Sequence, residues 1–148
     1  MATRLLLFRC GGQVLAVEAD AVREILPALP ATRIPGAPRA VRGLVNVRGT
    51  IVPVVDAAVA AGLGGEGERE GAEAGGAGGT VILVERNGRA VGLEVEEVLD
   101  LVSVSAAALD ARAALPGVRP DLVRAVGTAG SRSFVQLATD VLLEPLLP

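Results

Sequence analysis

The chain has 148 residues, 51% hydrophobic but only 1% aromatic, and its 14 basic residues, all Arg, face 17 acidic ones for a net charge of −3. That is about one domain's length, with enough aliphatic side chain to rule out a disordered chain. No apolar run approaches the roughly 20 residues of a spanning helix, and the acidic balance argues against nucleic acid as a partner. Without a His and with a single Cys, the chain cannot build a His-based or multi-Cys zinc site, a Ser-His-Asp or Cys-His centre, or an internal disulfide. Cys10 reads as a small core or strand-end residue. The apolar stretch near the start is too short for a signal peptide, so the cytoplasm is the expected compartment.

Short β-type segments alternate with turns along the chain. Leu5–Cys10 and Val14–Val17 flank Gly11-Gly12, a pair suited to the positive φ of a tight hairpin. Gly43–Val47 and Thr50–Val55 are separated only by Arg48-Gly49, and Asp56 is placed to cap a short helix over Ala57–Ala61. From Gly64 to Gly79 the composition turns to Gly, Glu and Ala, which reads as a solvated connector. Gly62-Leu63-Gly64-Gly65-Glu66-Gly67 matches the spelling of a dinucleotide-binding loop. It follows a helix instead of a strand, however, and its glutamates would repel phosphate. Val81–Arg86 and Ala90–Val95 flank Asn87-Gly88, a strong hairpin signal. Ser133–Leu137 follows the turn Thr128–Ser131, and Asp140 is placed to open a short helix over Val141–Leu143.

The two halves repeat. Gly12–Glu18 and Val22–Leu26 align with Gly88–Glu94 and Val98–Val102 at an offset of 76 residues (88 − 12). Further on, Gly43, Ile51 and Asp56 are expected to align with Gly127, Val135 and Asp140 at an offset of 84 (127 − 43), the extra residues falling around Asp110–Pro120. Each half holds roughly five strand-sized segments, enough for a small barrel that limits free edges. The expected fold class is therefore all-β, with two small five-stranded SH3-like barrels sharing a hydrophobic core and few short helices. The lobes fall roughly at 1–63 and 80–148, joined by 64–79, with an exchange of strands between them left open.

Carboxylates are the only candidates for acid–base chemistry. Glu94, Glu96 and Glu97 cluster without a nucleophile or a cation-binding loop, so they read as a solvated strand end, and no catalytic or metal-binding residue is assigned. Arg33, Arg39, Arg42 and Arg48 form a modest basic set. Surface solvation is one reading of it and carboxylate recognition at a protein interface the other. At Arg48 the two stand level, because a charge in a tight turn between apolar strands must point out of the fold.

The run Ala40-Val41-Arg42-Gly43-Leu44-Val45-Asn46-Val47-Arg48-Gly49-Thr50-Ile51-Val52-Pro53-Val54-Val55-Asp56 is distinctive. With Val22–Leu26 and Arg33-Ile34-Pro35 before it, and Val81–Val98 after the connector, it resembles the CheW-like family over nearly the whole chain. The resemblance implies a single CheW-like domain of two five-stranded barrels and a non-catalytic adaptor without cofactors. Such an adaptor joins the cytoplasmic hairpin tip of a methyl-accepting chemoreceptor to the regulatory domain of the CheA histidine kinase, with no nucleic acid and no membrane insertion. Carried onto matching positions, receptor contacts fall on Val22, Glu24 and Arg48, with Gly43 shaping that surface. Kinase contacts fall on Ala31, Thr32, Arg33 and Ile34, where Ala31 replaces a commonly larger aliphatic. Leu109–Leu115 offers few anchors for ring assembly, and Leu137-Ala138-Thr139 departs from the family's usual run. A divergent adaptor of a motility or pilus pathway that binds receptor but not kinase is therefore an alternative. A small β-barrel ligand binder or enzyme is another, although no convergent polar set suggests a pocket for it.

Overall fold

A computed structural model of the chain describes residues 2–28, 30–36, 40–62, 79–86, 88–110 and 122–138. The helix expected at Asp140, most of the connector, Arg39, Asn87 and residues 111–115 lie outside the described residues. Among the described residues eleven strands appear: β1 (Ala2–Cys10), β2 (Gln13–Glu18), β3 (Val22–Pro27), β4 (Val41–Val47), β5 (Thr50–Asp56), β6 (Thr80–Arg86), β7 (Arg89–Val95), β8 (Glu97–Ser105), β9 (Leu109–Asp110), β10 (Val123–Ala129) and β11 (Arg132–Leu137). A short helix, α1 (Ala57–Ala60), follows β5, and the Val59 amide donates to Asp56 Oδ1 at 3.1 Å, the cap expected from sequence.

The strands form two sheets, ordered β8-β1-β2-β11-β10-β9 and β3-β6-β7-β5-β4. Each sheet draws on both halves of the chain: β1 and β2 sit among β8–β11, while β6 and β7 sit among β3–β5. The sheets thus do not coincide with residues 1–63 and 80–148. Each is closed by a strand that turns a corner. Ala28 donates to the Gly79 carbonyl at 3.1 Å, continuing the β3–β6 edge, and Thr32 then exchanges two backbone hydrogen bonds of 2.8 Å with Leu44 of β4. Likewise β8 pairs with β1, and after a 3-10 turn at Ala106–Ala108 its continuation β9 pairs with β10. One stretch of chain therefore serves both edges of each barrel, which removes most of the exposed ladder.

The ladders also measure the repeat. Val22 and Glu24 bracket a bulge opposite Val84 and Leu83, as Val98 and Asp100 do opposite Phe8 and Leu7, which keeps the offset of 76. The later strands run at 82, not the expected 84. Gly43 stands opposite Val54 beside a bulge after Val41, and Ala125 stands opposite Gln136 beside a bulge after Val123 (125 − 43 = 82). Val54 and Gln136 in turn lie beside Gly92 and Ala16 through parallel pairs. Matching glycines and aspartates misled the sequence alignment by two residues, one full period of side-chain alternation, so every residue kept its face and the error left no trace in the pattern.

Alternation explains the continuous apolar runs. In β1, Leu5 and Leu7 pack in the six-stranded lobe with Phe134, whereas Leu6, Phe8 and Cys10 point to a core shared by both lobes. In β6, Val81 and Leu83 face the five-stranded lobe's own core and Ile82 and Val84 face the shared one. Strands buried on both faces need no polar side, which is why these segments read as Leu-Leu-Leu-Phe and Val-Ile-Leu-Val.

Candidate docking site

The β4–β5 turn sets the geometry of the candidate site. Val47 pairs with Thr50, and both residues between them have positive φ, 50° at Arg48 and 87° at Gly49. This is the pattern of a type I′ hairpin turn, whose twist matches the strands it joins. Arg48 is the only non-glycine with positive φ among the described residues, a conformation costing an L-residue about 1–2 kcal/mol. Asn46 offsets part of that cost, because its Oδ1 accepts the Gly49 amide at 2.7 Å. The guanidinium is held on the surface, 69% exposed, where it donates to Glu24 of β3. That bond and the charge behind it lower the Glu24 pKa and raise that of Arg48. The two residues carried over separately as charge readers are thus partners of each other and present a neutral pair.

Glu24 lies opposite Leu83 on the ladder and so shares the face of the five-stranded lobe's core, ending beside the turn. Val22, across the bulge, packs on the shared core and is only half-exposed. The outward apolar side chains near this site are ones that sequence reasoning missed: Ile25, 47% exposed on β3, and Ile51, 58% exposed on β5. Their signal was available, since each alternates with neighbours turned into the lobe core, Leu26 for Ile25 and Val52 for Ile51.

Gly43 does not form part of an exposed surface. It is buried at φ 149°, and a Cβ there would stand 2.3 Å from the Thr32 carbonyl oxygen. Its bareness lets the 28–32 segment close on β4. Ala31 packs on the core of the five-stranded lobe, so its small size answers to that closure. Within the expected kinase segment, Thr32, Arg33 and Ile34 remain exposed.

Two expectations about charge are corrected. Glu94 is not part of a solvated strand end and Arg42 is not a surface charge. Arg42 Nε and Nη2 donate to one Glu94 oxygen at 2.8 and 2.6 Å, with the two side chains only 13% and 10% exposed, and Asp56 Oδ2 lies 4.0 Å from Arg42 Nε. Glu96 and Glu97 do sit at the exposed strand end, accepting from the Gly11 amide at 3.2 Å and from Arg9. Among the described residues no group of three or more His, Cys, Asp or Glu is placed to hold a metal ion, and no helix is long and apolar enough to cross a membrane.

Paired β-barrels, a charged turn and outward isoleucines define a β-rich domain with a candidate docking face. The CheW-like domain model matches residues 4–144, and the chain belongs to that family. It is 38% identical over 101 residues to the chemotaxis protein CheW of Rhizobium meliloti (strain 1021), covering 68% of this chain and 61% of that protein. It is 32% identical over 102 residues to the chemotaxis protein CheW of Klebsiella aerogenes, covering 68% of this chain and 57% of that one. These matches span about three fifths of the relatives' length. The crystal structure of the scaffolding protein TtCheW from Thermoanaerobacter tengcongensis superposes with a TM-score of 0.82 over 97% of this chain and 94% of that one, at 21% identity, a likeness of fold.

Proposed function

We propose that this chain is a non-catalytic cytoplasmic adaptor that couples the hairpin tip of a chemoreceptor to the CheA histidine kinase. In this reading the receptor docks on Val22, the Glu24–Arg48 pair and the neighbouring isoleucines, over a surface whose backbone Gly43 allows to close. Family membership supports it, and the observation that carries it is the Arg48 turn. A strained, side-chain-braced arginine standing on the surface serves no core, which fits a group kept to meet a partner. A helix laying its apolar stripe against Ile25 and Ile51 would bring its flanking charges to the pair.

Titrating a labelled receptor hairpin against the wild-type chain and Arg48→Glu tests the reading. Loss of about tenfold or more in affinity with an unchanged fold is expected for an anchor residue, and equal affinities would refute the assignment of Arg48. The kinase contact is proposed for Thr32, Arg33 and Ile34, with Ala31 behind them. The inward packing of Ala31 favours a second reading, an adaptor that binds receptor and has lost kinase affinity. A pull-down with the regulatory domain of the cognate kinase separates the two.

A further inference from the structure

The internal repeat supplies its own comparison structure for a site in the six-stranded lobe. At the offset of 76, Asp100 of β8 is the counterpart of Glu24; the two stand opposite Leu7 and Leu83, themselves 76 residues apart. At the offset of 82, the β10–β11 turn is the counterpart of the β4–β5 turn, and Gly130 stands where Arg48 does. The first turn position is alike, with φ of 64° at Gly130 and 50° at Arg48, whereas at the second position only Gly49, and not its counterpart Ser131, has positive φ. The carboxylate has been kept and the guanidinium has not.

An open cavity of about 560 Å³ lies at this place, lined by Asp100, Val102, Ala108, Thr128, Ala129 and Gly130 among others. One Asp100 oxygen accepts the Leu101 amide at 2.8 Å, and among the described residues Asp100 has no cationic partner. The valines and alanines beside Ser103 and Thr128 offer surface to a methylene stem, and the Asp100 carboxylate among them suits a planar guanidinium that can donate two hydrogen bonds.

We propose that this cavity receives an arginine side chain from another protein, completing in trans the Arg–carboxylate pair that the five-stranded lobe makes with its own Arg48. The site is independent of the receptor and kinase assignments, because it lies on the other lobe and uses none of their residues. Its chemistry distinguishes it from a general acidic patch: the stem would lie along Val102, Ala108 and Ala129, and the head group would meet a single carboxylate.

The test is a 1H–15N NMR titration of the full chain with Nα-acetyl-arginine methylamide, run beside its citrulline and lysine analogues. The arginine compound is expected to give saturable shifts at the amides of Asp100, Thr128 and Gly130, at about fivefold or more tighter binding than either analogue. Asp100→Asn, and Gly130→Arg, which supplies the guanidinium in cis, are each expected to abolish those shifts while the rest of the spectrum stays in place. Equal response to citrulline or lysine, or shifts that persist in Asp100→Asn, would overturn the proposal.

Discussion

The two lobes carry the same pair of charges and use it differently. Arg42 and Glu94 correspond, at the offsets of 82 and 76, to Arg124 and Glu18. In the five-stranded lobe the pair is close and nearly buried. In the six-stranded lobe Arg124 Nη1 stands 4.0 Å from Glu18 Oε1, the side chains are 45% and 34% exposed, and Gln136 Nε2 reaches the same oxygen at 3.4 Å. The third member differs as well, since Ala138 stands where the five-stranded lobe has Asp56, the cap of α1. One ancestral-looking pattern has thus been buried in the five-stranded lobe, where Glu94 stands opposite Val81, and left nearer the surface in the other. Near-identical pairs in sequence can thus differ in burial, separation and neighbours.

That contrast makes the largest prediction. Arg42→Ala leaves the Glu94 carboxylate desolvated without its partner and is expected to destabilise the chain by about 3–5 kcal/mol. Arg124→Ala removes an exposed partner and is expected to change stability by less than about 1 kcal/mol. Urea unfolding of the two variants compares them directly, and equal losses would mean that burial does not separate the pairs.

The next contrast is between Gly43 and its counterpart Ala125. Both flank a bulge, yet only Gly43 has the Thr32 carbonyl above it. Gly43→Ala is expected to cost about 1–3 kcal/mol by overpacking, with further strain from its φ, and to speed hydrogen exchange at the Thr32 and Leu44 amides that seal the barrel. Ala125→Gly is expected to leave the six-stranded lobe closed through β9. Unchanged exchange at Thr32 in Gly43→Ala would show that the seam holds by other means.

Local features were legible in the sequence. The Gly11-Gly12 hairpin, the Asp56 cap and the outward Arg48 follow from residues within a few positions of one another. The β10 strand was not, because Arg124 and Gly127 interrupt its apolar alternation and only the turn after it announced itself. Pairings across the sheets were hidden for a different reason. Arg42 and Glu94 lie 52 residues apart, on strands brought together only by the exchange between halves, and no periodicity reports such a contact. Glu24 and Arg48 could each be nominated from the family resemblance, but their mutual bond appears only once β3 and the β4–β5 turn share one end of a barrel.

The smallest effect, and the most local, concerns that bond. Arg48 holds the Glu24 carboxyl below its ordinary range chiefly by hydrogen bonding, which outweighs the opposing desolvation, and the charges of Arg48 and Arg23 add to the lowering. A carboxyl depressed in the folded state contributes stability above its unfolded pKa of about 4.3, and that contribution fades as pH falls through the lower folded value. Carboxyl-detected NMR titration is therefore expected to show the Glu24 midpoint rising in Arg48→Ala, and rising part of the way in wild-type protein at about 1 M salt, where the Debye length shrinks to about 3 Å. A midpoint indifferent to both changes would mean that the turn arginine stands apart from Glu24 in solution, leaving two separate charges on the five-stranded lobe where the structure has one pair.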